Sequence, residues 1–185
     1  MNHKINLRFG IIALFILFAA LSRLLPHPPN FTPLGGMALF GAAYFSKKYW
    51  AFLVPIIALW ISDLVLNNVV YAAYQDGFTW FSSYMIWVYG AFVAMIGIGS
   101  LLVKKIRPVN IITGSFVVSL IFFLITNFGV WYADVTQMYA SNITGLLAAY
   151  TAGLPFFLNT IVGDLFYSAL LFGSYALVQR QYPAL

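Results

Sequence analysis

The feature that most restricts the fold of this chain is a succession of apolar runs of about 20 residues, separated by short polar or proline-rich breaks. An α-helix of that length crosses a hydrocarbon core of roughly 30 Å. A membrane β-barrel would instead need segments of about ten residues with alternating polarity. Only 7% of the residues are charged and the mean hydropathy is +0.92, against roughly 25% charged residues in soluble proteins. The sequence therefore predicts an all-α integral membrane protein.

The breaks between the apolar runs predict where the helices lie. No repeat or change of composition divides the chain, so residues 1–185 are expected to form one transmembrane domain. The second run is short for a full span, and we expect it to complete one irregular crossing with the loop before it, provided that protein buries its backbone. Residues 141–153 are expected to lie along the surface before the last helix. The six predicted helices cover residues 9–25, 34–45, 50–70, 83–103, 109–131 and 154–178.

The basic residues alternate between helix ends in a way that predicts orientation. Eight of the nine cations fall on one side of the predicted bundle, which the positive-inside rule makes cytoplasmic. Both termini are then cytoplasmic, in a multi-pass protein of the bacterial cytoplasmic (inner) membrane. The net charge of +5 is read as this topology signal, not as a nucleic-acid surface. The eight cations are Lys4, Arg8, Lys47, Lys48, Lys104, Lys105, Arg107 and Arg180.

A proline-rich stretch at residues 23–36 interrupts the apolar sequence after the first helix. Its four prolines lack backbone donors and cannot continue a helix, so the stretch is predicted to be a stiff loop on the outer side. It contains His27 and the one remaining cation, Arg23. This stretch therefore combines a non-helical backbone with a histidine and an isolated arginine.

Polar side chains gather toward the outer half of the predicted bundle, where each is costly unless it is paired or used. Brought together under the proline loop, they are expected to line an outward-facing pocket for a small organic substrate. Alternatively, Arg23 pairs with Asp63 or Asp164, and the asparagines only tie helices together. His27 is either an interfacial loop residue or a ligand-contacting or metal-ligating imidazole. The candidate substrate-binding residues are Arg23, His27, Asn30, Thr32, Asp63, Asn127, Asn159 and Asp164.

Signatures of catalysis are missing from the sequence. There is no cysteine and no glutamate, and no Walker-type loop, HExxH or G-x-S-x-G motif occurs. A nucleotide-driven pump on this single chain is therefore excluded. The chain is predicted not to be an enzyme and to carry no cofactor or metal of its own.

Several strings of the sequence carry a resemblance to known proteins: residues 26–33, Ser62-Asp63-Leu64, residues 126–131, residues 154–157, Asn159-Thr160 and Gly163-Asp164. Together they resemble a family of small bacterial membrane proteins that are assigned a transport function. That family is in turn similar to the substrate-binding S-components of energy-coupling factor (ECF) vitamin transporters and to the solitary cobalamin transporters of the BtuM type. The resemblance implies a six-helix S-component-like bundle with a substrate cavity open to the outside.

Two departures from these relatives bear on the substrate and its transport. In the BtuM type a cysteine is thought to ligate the corrinoid cobalt, and this chain has none; either the substrate differs or His27 takes that role. S-components also carry alanine pairs on helix 1 that dock to a shared transmembrane subunit. Ala13, Ala19 and Ala20 supply no such pair, although Ala38 and Ala42 do so on helix 2. A solitary mode of transport is therefore plausible.

These patterns together predict a transporter that takes up a corrinoid, another vitamin or a similar small molecule. Its partners would be the substrate, the lipid bilayer and, unless it acts alone, an ECF energising module. The alternative is a non-transporting membrane scaffold or assembly subunit, in which the polar residues only hold helices together.

Overall fold

The computed structural model describes residues 7–134 and 137–183. Lys4, used above for orientation, lies outside the described residues. Six α-helices and no strand occur within the described ranges. The helices are α1 (Leu7–Leu21), α2 (Leu34–Tyr44), α3 (Lys48–Val65), α4 (Met85–Leu102), α5 (Pro108–Tyr132) and α6 (Ile143–Gln181).

Five of these helices are long and apolar enough to cross a membrane; the exception is α2. Large apolar side chains on their outward faces are exposed, for example Leu120, Leu124 and Phe166. Water is a poor solvent for such a surface, and lipid is a good one. The helix bundle is therefore compatible with a multi-pass membrane protein.

The short helix α2 is the centre of the bundle. It spans 11 residues, about 16 Å, and it contacts each of the other five helices. Nine of its residues are buried, and the ring of Phe40 packs against those of Phe15, Phe172 and Tyr175. Its backbone is thus buried by protein, as expected for a helix too short to span the membrane alone.

The predictions for the first five helices are confirmed to within a few residues, with two local differences at helix ends. The first helix ends earlier, and a 3₁₀ turn at Ser22–Leu24 follows it. The third helix finishes as a π-helical turn at Leu66–Val70. Both irregular turns lie at the end of the bundle that holds the proline loop.

The prediction for residues 141–153 was wrong, because α6 runs without a break from Ile143. Asn142 caps this end of α6, where its side-chain oxygen accepts the N–H of Gly145 at 3.0 Å. The early part of α6 packs on α5, where the Tyr150 hydroxyl donates to the carbonyl of Leu124 at 2.9 Å. This packing stabilises the part of α6 that precedes residue 154, where the last helix was predicted to begin, and the helix continues through Pro155.

Candidate functional site

The proline loop is a defined turn docked on α6. The N–H of Phe31 donates to the carbonyl of Pro28 at 3.0 Å, which closes a β-turn. Asn30 occupies its third position with φ of 61°, a left-handed conformation that asparagine tolerates better than most residues. Asn159 Nδ2 donates to the Pro29 carbonyl at 2.9 Å. Residues 25–33 form the predicted loop, and Asn159 fixes it to α6.

The loop comes close to α6 because Gly163 has no side chain. A Cβ at Gly163 would lie 3.0 Å from the backbone nitrogen of Thr32 and 3.1 Å from the Cα of Phe31. Any larger residue would push the loop outward. Gly163 therefore sets the position of Thr32 and of the turn before it.

Arg23, at the end of α1, forms an ion pair with Asp63 of α3. Its Nη1 atom lies 2.6 Å from Asp63 Oδ1 and 2.5 Å from the hydroxyl oxygen of Ser62. The hydroxyl of Tyr89, from α4, donates to Asp63 Oδ2 at 2.8 Å. The side chains of Arg23 and Asp63 are 14% and 10% exposed. Of the two pairings that the sequence left open, the structure has Arg23 with Asp63.

The ion pair borders a cavity of about 360 Å³, which we call the ion-pair cavity. It lies between the proline loop, the π-helical turn of α3 and the start of α4. Five of the eight candidate residues line it: Arg23, His27, Asn30, Thr32 and Asp63. Its other lining residues are Pro29, Leu66, Asn67, Tyr71 and Tyr84.

A second cavity, of about 460 Å³, lies beside the first and is called the α5–α6 cavity. Pro29, Asn30 and Tyr84 line both cavities. Asn127, a sixth candidate, lines this one, and its Nδ2 donates to the carbonyl of Phe123 at 2.8 Å. Asn30 therefore stands between two neighbouring compartments, in the turn that α6 holds in place.

Asp164 is buried below these cavities and lines neither of them. Its Oδ1 accepts the N–H of Gly35 in the first turn of α2 at 2.7 Å, and its Oδ2 lies 2.7 Å from Ser119 Oγ. Ser119 Oγ also lies 2.8 Å from the carbonyl oxygen of Ser115. One hydroxyl proton serves only one of these acceptors, so both contacts are hydrogen bonds together only when Asp164 is protonated. Asp164 ties α6 to α2 and α5.

The ring of His27 is exposed and faces two carbonyl oxygens. Nδ1 lies 2.9 Å from the oxygen of Pro28, and Nε2 lies 3.3 Å from that of Arg23. Within residues 7–134 and 137–183, no group of three or more histidine, cysteine, aspartate or glutamate side chains is placed to hold a metal ion. In this arrangement His27 contacts both the proline loop and the turn that follows α1.

Three polar lining residues of the ion-pair cavity were not among the predicted site residues: Asn67, Tyr71 and Tyr84. The two tyrosines lie in a loop and at a helix start, where interfacial aromatic residues are also common. In the sequence, Asn67 is the first of two adjacent asparagines near the end of the predicted third helix. The π-helical turn, closed by the Tyr71 N–H on the Leu66 carbonyl at 2.8 Å, includes Asn67. No pattern in the sequence predicts that π-helical turn.

Comparison with known proteins gives one match. The model of DUF6580, described as a family of unknown function, matches residues 3–185. No curated protein and no solved structure matches the chain. The resemblance to S-components therefore stays a prediction, and function has to be inferred from the two cavities.

Proposed function

Because this chain belongs to the DUF6580 family, whose function is unknown, we propose its function from its own geometry. We propose a multi-pass transporter of the bacterial cytoplasmic membrane that binds a small organic molecule in the ion-pair cavity. The observation that carries the proposal is the convergence of five separately predicted polar residues on one cavity of about 360 Å³. Charged groups in so apolar a chain are costly, and they are retained mainly where a ligand or ion uses them.

The distribution of charge supports an outward-facing cavity. The loops that border the cavity join the end of α1 to α2 and the end of α3 to α4. Among residues 7–134 and 137–183, the lysines and arginines outside the ion pair flank the opposite helix ends, as Arg8, Lys47 and Arg107 do. With that end in the cytoplasm, substrate would enter from outside, and both termini would be cytoplasmic.

The size of the cavity bears on which substrate it takes. A volume of about 360 Å³ lies at the low end of the range for small-molecule sites. It favours a molecule smaller than a corrinoid, with the α5–α6 cavity available for an extension. Transport would proceed by the protein alone or with an ECF energising module, as the resemblance to S-components implies.

A side-chain deletion that leaves the loop intact tests this function. Asn30 lines both cavities, and Asn30→Gly removes its side chain while glycine accepts φ of 61° without strain. Gln137→Gly is the matched control, because Gln137 is the other non-glycine residue with positive φ in the described part of the chain, at 54°, and lines neither cavity. The purified protein in detergent is screened by thermal shift against water-soluble vitamins, cobinamide and cobalamin, and the ligand found is followed in proteoliposome uptake.

We expect one compound to raise the melting temperature of the wild type and of Gln137→Gly in a saturable way. Asn30→Gly should weaken binding about tenfold, which corresponds to about 1.4 kcal/mol, and leave the unliganded melting temperature nearly unchanged. Equal binding by both variants would contradict a ligand in these cavities. Binding without uptake would contradict solitary transport.

The scaffold alternative rests on the same ion pair. In that case Arg23, Asp63 and Tyr89 only join α1, α3 and α4. The wild type would then show no saturable thermal shift with any compound. Asn30→Gly would behave like its control in every assay.

A further inference from the structure

The ion pair uses only one side of the Arg23 guanidinium. Both of its side-chain hydrogen bonds, to Ser62 and Asp63, run through Nη1. Within residues 7–134 and 137–183, Nη2 and Nε of Arg23 have no hydrogen-bond partner. These two nitrogens form the edge of the fork that binds a carboxylate through two parallel bonds. Arg23 therefore lines the cavity and has a carboxylate-binding edge that the ion pair leaves unused.

Asn67 is a second polar group whose bonding is incomplete. Its residue is only 2% exposed and lines the same cavity. Its Nδ2 contacts the sulfur of Met85 at 3.7 Å, and its Oδ1 lies 3.5 Å from the hydroxyl oxygen of Tyr84. Sulfur is a weak acceptor, and 3.5 Å is long for an O–H···O bond. A buried carboxamide so weakly bonded is costly unless a ligand completes its hydrogen bonds.

The charges of the cavity restrict the charge of that ligand. Arg23 and Asp63 already balance each other, so a bound anion or a bound cation alone would leave a net charge in a half-buried site. A carboxylate has about four acceptor positions, and Asp63 uses two, for Arg23 and Tyr89. The cavity thus offers hydrogen-bond donors for an anionic group and hydrogen-bond acceptors for a cationic group of the same ligand.

Building on the proposed function, we propose that the ion-pair cavity binds a zwitterion of amino-acid type. The ligand carboxylate binds the Nη2–Nε edge of Arg23. The ligand ammonium group donates to the remaining acceptors on Asp63 and Asn67. Tyr71 and Tyr84 pack against the rest of the molecule, and their rings also favour a nearby cation.

Compounds that share one skeleton separate the two charged groups of the ligand. The aromatic set is phenylalanine, 2-phenylethylamine, 3-phenylpropionate and 3-phenylpropanamide; the aliphatic set is leucine, isopentylamine, 4-methylpentanoate and its amide. Each is titrated by calorimetry into the full-length protein in detergent. In at least one set the zwitterion should bind about tenfold or more tighter than the amine, acid and amide of the same skeleton.

Arg23→Lys tests the unused edge of the guanidinium. A lysine ammonium keeps the charge opposite Asp63 but has no planar fork, so zwitterion binding should weaken about tenfold or more. Asn67→Leu removes the buried carboxamide and should also weaken binding of the zwitterion. It is the second test of the proposal if Arg23→Lys does not fold. Asp76→Ala removes a carboxylate from an exposed loop position outside the cavity and should leave binding unchanged.

Other outcomes overturn this inference without ambiguity. Binding of an acid or amine within about threefold of its zwitterion would overturn it, and so would unchanged binding by Arg23→Lys. So would an absence of binding by both sets. In that last case the vitamin and corrinoid screen decides separately whether the proposed transporter function still stands.

Discussion

Asp164 has a buried carboxyl group with a structural role. It joins three helices through Gly35 and Ser119 and is 1% exposed. Asp164→Asn preserves both contacts, because the amide oxygen accepts from Gly35 and the amide nitrogen donates to Ser119 Oγ. We expect Asp164→Asn to unfold with nearly the wild-type free energy, measured by denaturant titration in detergent.

Asp164→Ala supplies the contrast, since it leaves the buried N–H of Gly35 without an acceptor, whereas Ser119 still donates to the Ser115 carbonyl. A loss of about 1–3 kcal/mol is expected. Equal unfolding free energies for the Asn and Ala variants would show that these hydrogen bonds do not stabilise the fold. A large loss in Asp164→Asn alone would show that Asp164 needs its negative charge.

For single residues, the sequence predicted which residue types are important better than it predicted their roles. Asp164 and Asp63 looked alike as intramembrane carboxylates, yet one is enclosed by Gly35 and Ser119 and the other borders a cavity. The difference depends on contacts between residues 129 positions apart, such as Gly35 and Asp164. No local pattern contains that information.

Helix α2 depends on close approach to α6 at its first turn. A Cβ added at Gly35 would overlap the Asp164 carboxyl group. Gly35→Ala should therefore destabilise the protein by about 1–3 kcal/mol through overpacking. Gly97→Ala, inside α4, is the control, because no atom lies within 4 Å of its added Cβ; it should be neutral or slightly stabilising. A neutral Gly35→Ala in thermal unfolding would contradict the tight α2–α6 contact.

The elements of the fold were predictable to the extent that local polarity determines them. Apolar runs bounded by lysine, proline or glycine gave the first five helices to within a few residues. The early part of α6 was missed because Gly153 looks like a break, whereas packing of Tyr150 and Phe157 on Phe123 continues the helix. The π-helical turn at Leu66–Val70 was likewise not predicted from local polarity.

The whole bundle has two chemically different ends, and this difference underlies the proposed direction of transport. One end carries the proline loop and both cavities. The other joins α2 to α3 through Lys47, and α4 to α5 through Lys104, Lys105 and Arg107. Positive charge is retained on the cytoplasmic side during insertion, so the two ends should face opposite sides of the membrane.

The absence of cysteine from the chain makes this orientation directly measurable. Ser46→Cys places one thiol at the basic end, and Ala73→Cys places one at the cavity end; both positions are exposed. In intact cells, a membrane-impermeant maleimide should label Ala73→Cys, whereas Ser46→Cys should react only after permeabilisation. The unmodified chain serves as the blank. The reverse labelling pattern would place the cavities on the cytoplasmic side, so the protein would bind its ligand from inside and the proposed uptake would be wrong. Labelling of both thiols in intact cells would contradict a single membrane-spanning orientation.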